Sequence, residues 1–272
     1  GGMILHGPGN PEDEYSSKDL GVYKAIAERG ELMLPAYDTR QVSAELYPVY
    51  GGEFDWFFSM RGIFSFANEL FTSDNYFRRE LDSRSEGTQD FDRYLLFGQG
   101  MVAWHEAQHP QYGTIEIGGT KKQWGRQPPS FLLEEECHRN MAFTLYHADQ
   151  MPHIAVQSID VTPLSDSLYQ VTAVIVNEKQ IPTHAEVDLD NRITPPDIVS
   201  LRSTRNSIVA AMFSSEPFFR NATDQRHHLD QVRVPSIPGM GAVYVRWLVE
   251  GQGPFTVSVQ SVKGGSATAR SE

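Results

Sequence analysis

The sequence contains one cysteine, Cys137, so no disulfide can form within the chain. No apolar run approaches the roughly 20 residues that a helix needs to cross a bilayer, so no membrane span is predicted. There is no basic stripe, and the formal net charge is −12, which argues against nucleic acid or an anionic membrane as a partner. Internal repeats and low-complexity tracts are absent too. These absences leave an ordinary globular protein.

Composition and length favour two domains. Of the 272 residues, 40% are hydrophobic and 21% are charged, which is typical of a chain that buries real cores. The pattern changes after Met151: helical periodicity precedes it, and strict alternation follows, as in residues 243–249 and 255–259. We therefore predict a first domain over residues 1–151 and an all-β sandwich over 152–272. The sandwich would be of immunoglobulin or fibronectin type without the paired cysteines of antibody domains.

The first domain mixes helices and strands. We predict a strand at 3–6, a helix from Ser16 or Ser17 to Arg29 ended by Gly30, loops over 31–62, a buried strand over 62–71, a helix over 90–106, a strand over 112–118, and a helix over 130–148.

Two stretches carry the chemistry. Tyr47 precedes a Gly51-Gly52 turn in the first stretch, and Glu69 follows the apolar residues 63–66 in the second. A carboxylate at the end of a hydrophobic strand is partly desolvated, which raises its pKa and suits it to general acid–base catalysis. The position of Glu69 at the end of this apolar run therefore makes it a candidate base.

In order and spacing, residues 46–56 and 62–70 resemble the C-terminal half of the active site of carboxypeptidase A-like zinc metallopeptidases. The resemblance implies that Glu69 is the catalytic glutamate and Tyr47 the mobile tyrosine that closes over the substrate. Phe54 would help to form a specificity pocket for apolar or small terminal side chains, and His6 would line the cleft. Residues 109–119 and 130–152 extend the resemblance, which implies an α/β domain with a mixed sheet flanked by helices.

The resemblance also implies a zinc ion whose ligands lie upstream of residue 1. That family binds zinc through a His-x-x-Glu pair and a second histidine, and the match puts this histidine immediately before Gly1. We therefore expect this chain to be inactive alone and the intact protein to hydrolyse C-terminal peptide bonds of a peptide or protein substrate. We expect an extracellular or periplasmic location, although no signal peptide is visible. Alternatively, Gly1-Gly2 is a cloning scar and nothing is missing.

A second zinc motif stands at His105-Glu106-Ala107-Gln108-His109. Metal binding by this string requires both histidines on one helical face. Pro110 follows directly and disfavours a helical conformation at His109, so we interpret the string as a coincidence. Glu116, which we predict to lie on a buried strand as Glu69 does, is the reserve candidate for the catalytic carboxylate.

Three other interpretations remain open at this point. A helix continuing through Pro110 would favour a His-Glu-x-x-His protease. An upstream sequence without zinc ligands would indicate an inactive peptidase homologue. Exposed aromatic residues clustered on one face of the sandwich would favour a protein- or glycan-binding module.

Overall fold

The computed structural model describes residues 1–77, 84–125, 127–203 and 207–271. The helices are α1 (Ser17–Met33), α2 (Val42–Glu45), α3 (Glu53–Arg61), α4 (Arg84–Phe91), α5 (Ser130–Asp149) and α6 (Glu186–Asn191). The strands are β1 (Met3–His6), β2 (Asp38–Gln41), β3 (Ala67–Glu69), β4 (Met101–His109), β5 (Gly113–Thr120), β6 (Ile154–Pro163), β7 (Leu168–Asn177), β8 (Asp197–Arg202), β9 (Ser207–Ser214), β10 (Thr223–Gln225), β11 (Gln231–Val234), β12 (Gly241–Glu250), β13 (Thr256–Ser261) and β14 (Gly265–Arg270). None of the helices that these residues form is long and apolar enough to cross a membrane.

The chain folds as two compact units that do not follow chain order. The first unit comprises Gly1–Asp13, Lys24–Phe54 and Ser65–Tyr146. The second comprises Glu14–Tyr23, Asp55–Phe64 and His147–Glu272. Two short N-terminal segments thus belong with the sandwich, while the division of the chain near residue 151 stays a prediction.

A mixed sheet in the order β2-β1-β3 lies at the centre of the first unit. Strand β1 runs parallel to β2 and antiparallel to β3. Ile4 of β1 packs at a close contact between α1 and α5: a Cβ on Gly30 would lie 2.7 Å from both Ile4 and Phe143. Gly30 therefore allows close packing, and the prediction that it ends the helix is wrong, because α1 continues to Met33.

The predicted helix over 90–106 is also wrong. Helix α4 ends at Phe91, a π-helical turn follows over Asp92–Leu96, and Phe97 then adopts a left-handed conformation. The carboxylate of Asp92 accepts the Gly100 N–H at 2.5 Å, which turns the chain into β4. Gly98 and Gly100 disfavour the helix that the apolar spacing indicated.

Two further predictions for this region need correction. Residues 31–62 hold β2, α2 and α3 rather than loops. The predicted strand over 62–71 shortens to the three residues of β3, because its partner β1 offers only Met3, Ile4 and Leu5 for pairing. The predicted strands over 3–6 and 112–118 and the helix over 130–148 are confirmed within a few residues.

The second unit contains a β-sandwich, as predicted. One sheet has the order β10-β9-β12-β7-β6 and the other the order β11-β8-β13-β14, and every strand pair in both is antiparallel. Alternate residues of most strands enter a core around the fully buried Trp247, whose indole N–H donates to the Leu229 carbonyl at 3.0 Å.

The N-terminal segments of the second unit attach to the sandwich through buried polar groups. The carboxylate of Asp19 accepts the Glu186 N–H at 3.0 Å at the start of α6. Lys263 donates to the Gly62 carbonyl at 2.9 Å and to the buried Asp188 carboxylate at 2.6 Å. These bonds explain why residues 14–23 and 55–64 group with the sandwich.

Candidate active site

Glu69 is the last residue of β3 and lies directly opposite Met3 of β1. Its carbonyl accepts the Gly2 N–H at 2.6 Å. Its side chain is 43% exposed, so Glu69 is less desolvated than its place after an apolar run predicts. The backbone of Glu69 is thus held within the sheet while the carboxylate reaches solvent.

Alternation along β3 sets the direction of this carboxylate. Asn68 lies opposite Ile4, on the sheet face that α1 and α5 cover, and its amide donates to Oδ1 of Asn140 in α5 at 2.7 Å. Successive side chains of a strand point to opposite faces. Glu69 therefore projects from the face opposite α5.

A buried polar network fixes the chain just beyond Glu69. The hydroxyl of Tyr37 donates a short hydrogen bond to the Glu136 carboxylate. The Phe71 N–H donates to both groups, at 3.0 Å to the Tyr37 hydroxyl and 3.2 Å to Glu136. Asn140 donates to the Tyr37 hydroxyl at 3.0 Å. Burial and the bond to Glu136 both raise the pKa of Tyr37, which therefore stays a neutral donor.

Sequence reasoning missed this network. Glu136 and Asn140 are four residues apart and so share a face of α5, a spacing that marks two polar side chains aimed at one place. Their partners on β3 and before β2 come from distant parts of the chain, and the sequence carries no sign of which residues these are. The network and the Asn68–Asn140 bond together fasten both flanks of Glu69 to α5.

A cavity of about 210 Å³ adjoins the network, between the residues that follow α1, the end of β3 and α5. Charged groups on its wall pair with one another: Arg139 bonds Glu135 at 2.7 Å and donates to the Met33 carbonyl at 3.0 Å. Arg139 is thus engaged by its own helix and by α1, and the cavity wall holds no other cation that could bind a substrate carboxylate.

Tyr47 is 60% exposed and follows α2. Its N–H donates to the Val42 carbonyl at 3.1 Å, and the nearby Val49 N–H donates to the Gly9 carbonyl at 2.9 Å. The Tyr47 loop therefore lies beyond the C-terminal end of β1, whereas Glu69 pairs with the N-terminal end. The three residue steps between these ends correspond to about 10 Å, so the structure does not bring the two side chains together.

His6 is likewise separate from Glu69. It shares the sheet face of Ile4, is 9% exposed and meets the ring of Phe66 edge-on at 6.3 Å. Its Nδ1–H donates to the Gly7 carbonyl at 2.6 Å, and burial lowers its pKa. The substrate-binding role of His6 stays a prediction, and this packing gives it no support.

Phe54 lies half-buried in the first turn of α3, where a loop was expected. The next residue, Asp55, is buried and accepts the Tyr15 hydroxyl at 3.3 Å. The turn that follows the glycine pair is thus helical. The role of Phe54 in a specificity pocket remains a prediction.

Glu116 lies on an exposed hairpin formed by β4 and β5, directly opposite Glu106. The prediction that it sits on a buried strand is wrong, since a two-stranded ribbon leaves both of its faces open. His105 and His109 belong to β4, which confirms that His109 is not helical. Across residues 1–77, 84–125, 127–203 and 207–271, no group of three or more His, Cys, Asp or Glu side chains could hold a metal ion.

Comparison with known proteins finds a family match for the sandwich region. Residues 153–272 match a family described as a domain of unknown function (DUF8731). No curated protein is similar enough to count as a match. This chain is also similar to a solved structure, that of the N-terminal domain of PorA, with 10% sequence identity and a TM-score of 0.22. The match covers 43% of this chain and 82% of the PorA chain. Such a score is too low to support an argument about fold or function.

Proposed function

We propose that residues 1–151 are the C-terminal part of the catalytic domain of a carboxypeptidase A-like zinc metallopeptidase. Residues 152–272 would form an appended sandwich of immunoglobulin or fibronectin type. The intact protein would hydrolyse C-terminal peptide bonds of a peptide or protein substrate in an extracellular or periplasmic setting.

One observation carries the proposal: an oxygen of the Glu69 carboxylate lies 3.3 Å from the backbone nitrogen of Gly1. A residue joined to that nitrogen would therefore lie beside the carboxylate. The resemblance assigns the second zinc-binding histidine to that position. A metal ligand and the general base would then be neighbours, as a zinc-bound water requires.

A zinc ion held by residues upstream of Gly1 would supply Lewis-acid activation of a water molecule. Glu69 would accept a proton from that water and return it to the leaving amine. Its half-exposed carboxylate suits both transfers, because it can reach solvent while β1 and α5 hold its backbone. Tyr47 would bind substrate only after its loop moves towards the other end of β1.

The test compares the 272-residue chain with a longer protein that includes the preceding residues. Zinc content is measured by atomic emission, and hydrolysis is followed with an N-blocked dipeptide bearing a free C-terminal carboxylate. We expect stoichiometric zinc and turnover in the longer protein and neither in the shorter one. Tight stoichiometric zinc in the 272-residue chain would contradict the proposal. A longer protein that binds zinc but cleaves no such substrate would point to an inactive homologue.

A further inference from the structure

The outer face of the four-stranded sheet of the sandwich is basic in an otherwise acidic protein. Val199, Val232 and Val257 point into the core, so their strand neighbours face outward. Arg202, Arg233 and Arg270 lie at outward positions and are exposed, and no outward position of these four strands is an aspartate or glutamate. The whole chain, in contrast, has a net charge of −12.

Strand pairing sets the spacing of the arginines. Arg202 and Arg270 both pair with Thr256, one from each side, and so lie two strand spacings apart, or about 10 Å. Arg233 lies opposite Ile198, four residues from Arg202 along β8, or about 13 Å. Two cationic groups therefore stand at one end of the face and one at the other.

Hydroxyl and amide groups occupy the space between them. One row across the sheet consists of Gln231, Ser200, Ser258 and Thr268. The row is about 14 Å wide, from three strand spacings. These groups both donate and accept hydrogen bonds, which suits a ligand that carries many hydroxyl groups.

The arginines are available to a ligand. None of the three forms an ion pair with any residue in the part of the chain that the structure describes. A guanidinium presents a planar fork of donors that matches a carboxylate or sulfate in bidentate geometry. The strands also fix the backbone of each arginine in advance, so no loop has to be ordered when a ligand binds.

We propose that this face, defined by Arg202, Arg233, Arg270 and the hydroxyl row between them, binds an anionic polysaccharide. A chain of acidic sugars carries carboxylates with hydroxyl groups between them, which matches cations separated by a hydroxyl row. The face has no aromatic side chain on which a nucleic-acid base could stack. Its one outward apolar residue, Ile198, is half-buried and cannot insert into a lipid surface. This inference does not depend on the peptidase proposal.

The test measures binding of the 272-residue protein to polygalacturonate by isothermal titration calorimetry, with uncharged dextran for comparison. We expect binding to polygalacturonate that weakens as salt rises, since exposed charges are screened, and none to dextran. The double variant Arg202→Ala/Arg270→Ala should bind at least tenfold more weakly, and Arg233→Ala severalfold more weakly. Arg29→Ala, which removes an exposed charge from α1 in the first unit, should change the affinity less than twofold.

Each alternative outcome contradicts the proposal. No binding to polygalacturonate, or equal losses in the Arg29 and Arg202/Arg270 variants, would show that this face is not the site. Binding of a DNA duplex, or of vesicles containing 30% phosphatidylserine, as tight as that of polygalacturonate would replace the polysaccharide by that ligand. Circular dichroism and thermal melting of every variant show whether a loss of binding comes from unfolding. If the Arg202/Arg270 variant unfolds, Arg233→Ala on β11 tests the face instead.

Discussion

The side-chain amide of Asn68 donates a hydrogen bond of 2.7 Å to Oδ1 of Asn140. This bond joins the strand of Glu69 to helix α5, and Asn140 also donates to the Tyr37 hydroxyl at 3.0 Å and to the Glu136 carbonyl at 2.9 Å. One amide on α5 thus serves both flanks of the proposed catalytic residue.

Replacement of Asn140 by alanine should destabilise the protein by about 2 kcal/mol. The Asn68 amide would lose its acceptor, and the Tyr37 hydroxyl would lose one of the donors that it accepts from, both in a half-buried setting. Urea denaturation of the 272-residue chain measures this loss. Thr144→Ala is the matched control on the same helix, since its hydroxyl bonds only the exposed Asn140 carbonyl, and it should cost less than about 0.5 kcal/mol. Equal costs for the two variants would show that the network contributes nothing.

The ion pair of Lys263 with Asp188 should make the largest polar contribution to the stability of the second unit. Asp188 is 1% exposed, and Lys263→Met leaves its carboxylate buried without a cation, at a cost of about 3 kcal/mol. The pair of the half-buried Lys179 with the exposed Asp149 is the control, and Lys179→Met should cost under about 1 kcal/mol, because the carboxylate that it leaves can reach water.

The same pair predicts a pH dependence. Burial alone would raise the pKa of Asp188, but bonds from Lys263 and Thr194 outweigh it and lower that pKa below its ordinary value of 3.8. The stability from this group is therefore complete above pH 3.8 and is lost as the pH falls through the lowered value. In Lys263→Met the lysine no longer lowers the pKa of Asp188. The difference in urea midpoint between the unsubstituted protein and Lys263→Met should therefore narrow below pH 4. A gap that stays constant from pH 7 to pH 3 would count against the assignment.

The exposed hairpin makes a prediction about the second zinc motif. In the longer protein, His105→Ala should leave zinc content and turnover unchanged, because His105 lies on a strand of the β4–β5 ribbon and not on a ligand-bearing helix. Glu116→Gln should also turn over at a normal rate. Loss of zinc from a folded His105→Ala protein would revive the alternative protease interpretation.

Tyr47→Phe in the longer protein should weaken substrate binding severalfold and change kcat little. The phenol is exposed and distant from Glu69 along β1, so it can contribute a hydrogen bond to bound substrate but cannot act as the base. Steady-state kinetics separate the two effects, since a loss confined to KM reports binding common to the ground and transition states. A fall in kcat comparable to that of a Glu69 variant would overturn this division of roles.

The parts of this fold that local sequence patterns predict are those with strong periodicity. Strands such as β12 alternate strictly, and α5 begins at a serine and keeps its apolar spacing, so both were predictable. The prediction that Gly30 ends α1 failed because Gly30 makes room for Phe143, which lies more than a hundred residues away in the sequence. The Tyr37–Glu136 bond spans 99 residues, and no local pattern reports such a partner. Glu69 was identified through a resemblance, whereas the residues that hold it needed the structure.

The most direct test of Glu69 as the catalytic base is Glu69→Gln in the longer protein, with zinc content and hydrolysis measured on the same sample. The substitution keeps the shape of the side chain and the β3–β1 pairing but removes the proton acceptor. General acid–base catalysis is worth about 10²–10⁴-fold, and a residue that serves both proton transfers should reach the upper end of that range. We therefore predict that zinc remains stoichiometric while turnover falls by about 10⁴-fold. A Glu69→Gln protein that hydrolyses substrate at a near-normal rate would contradict the account.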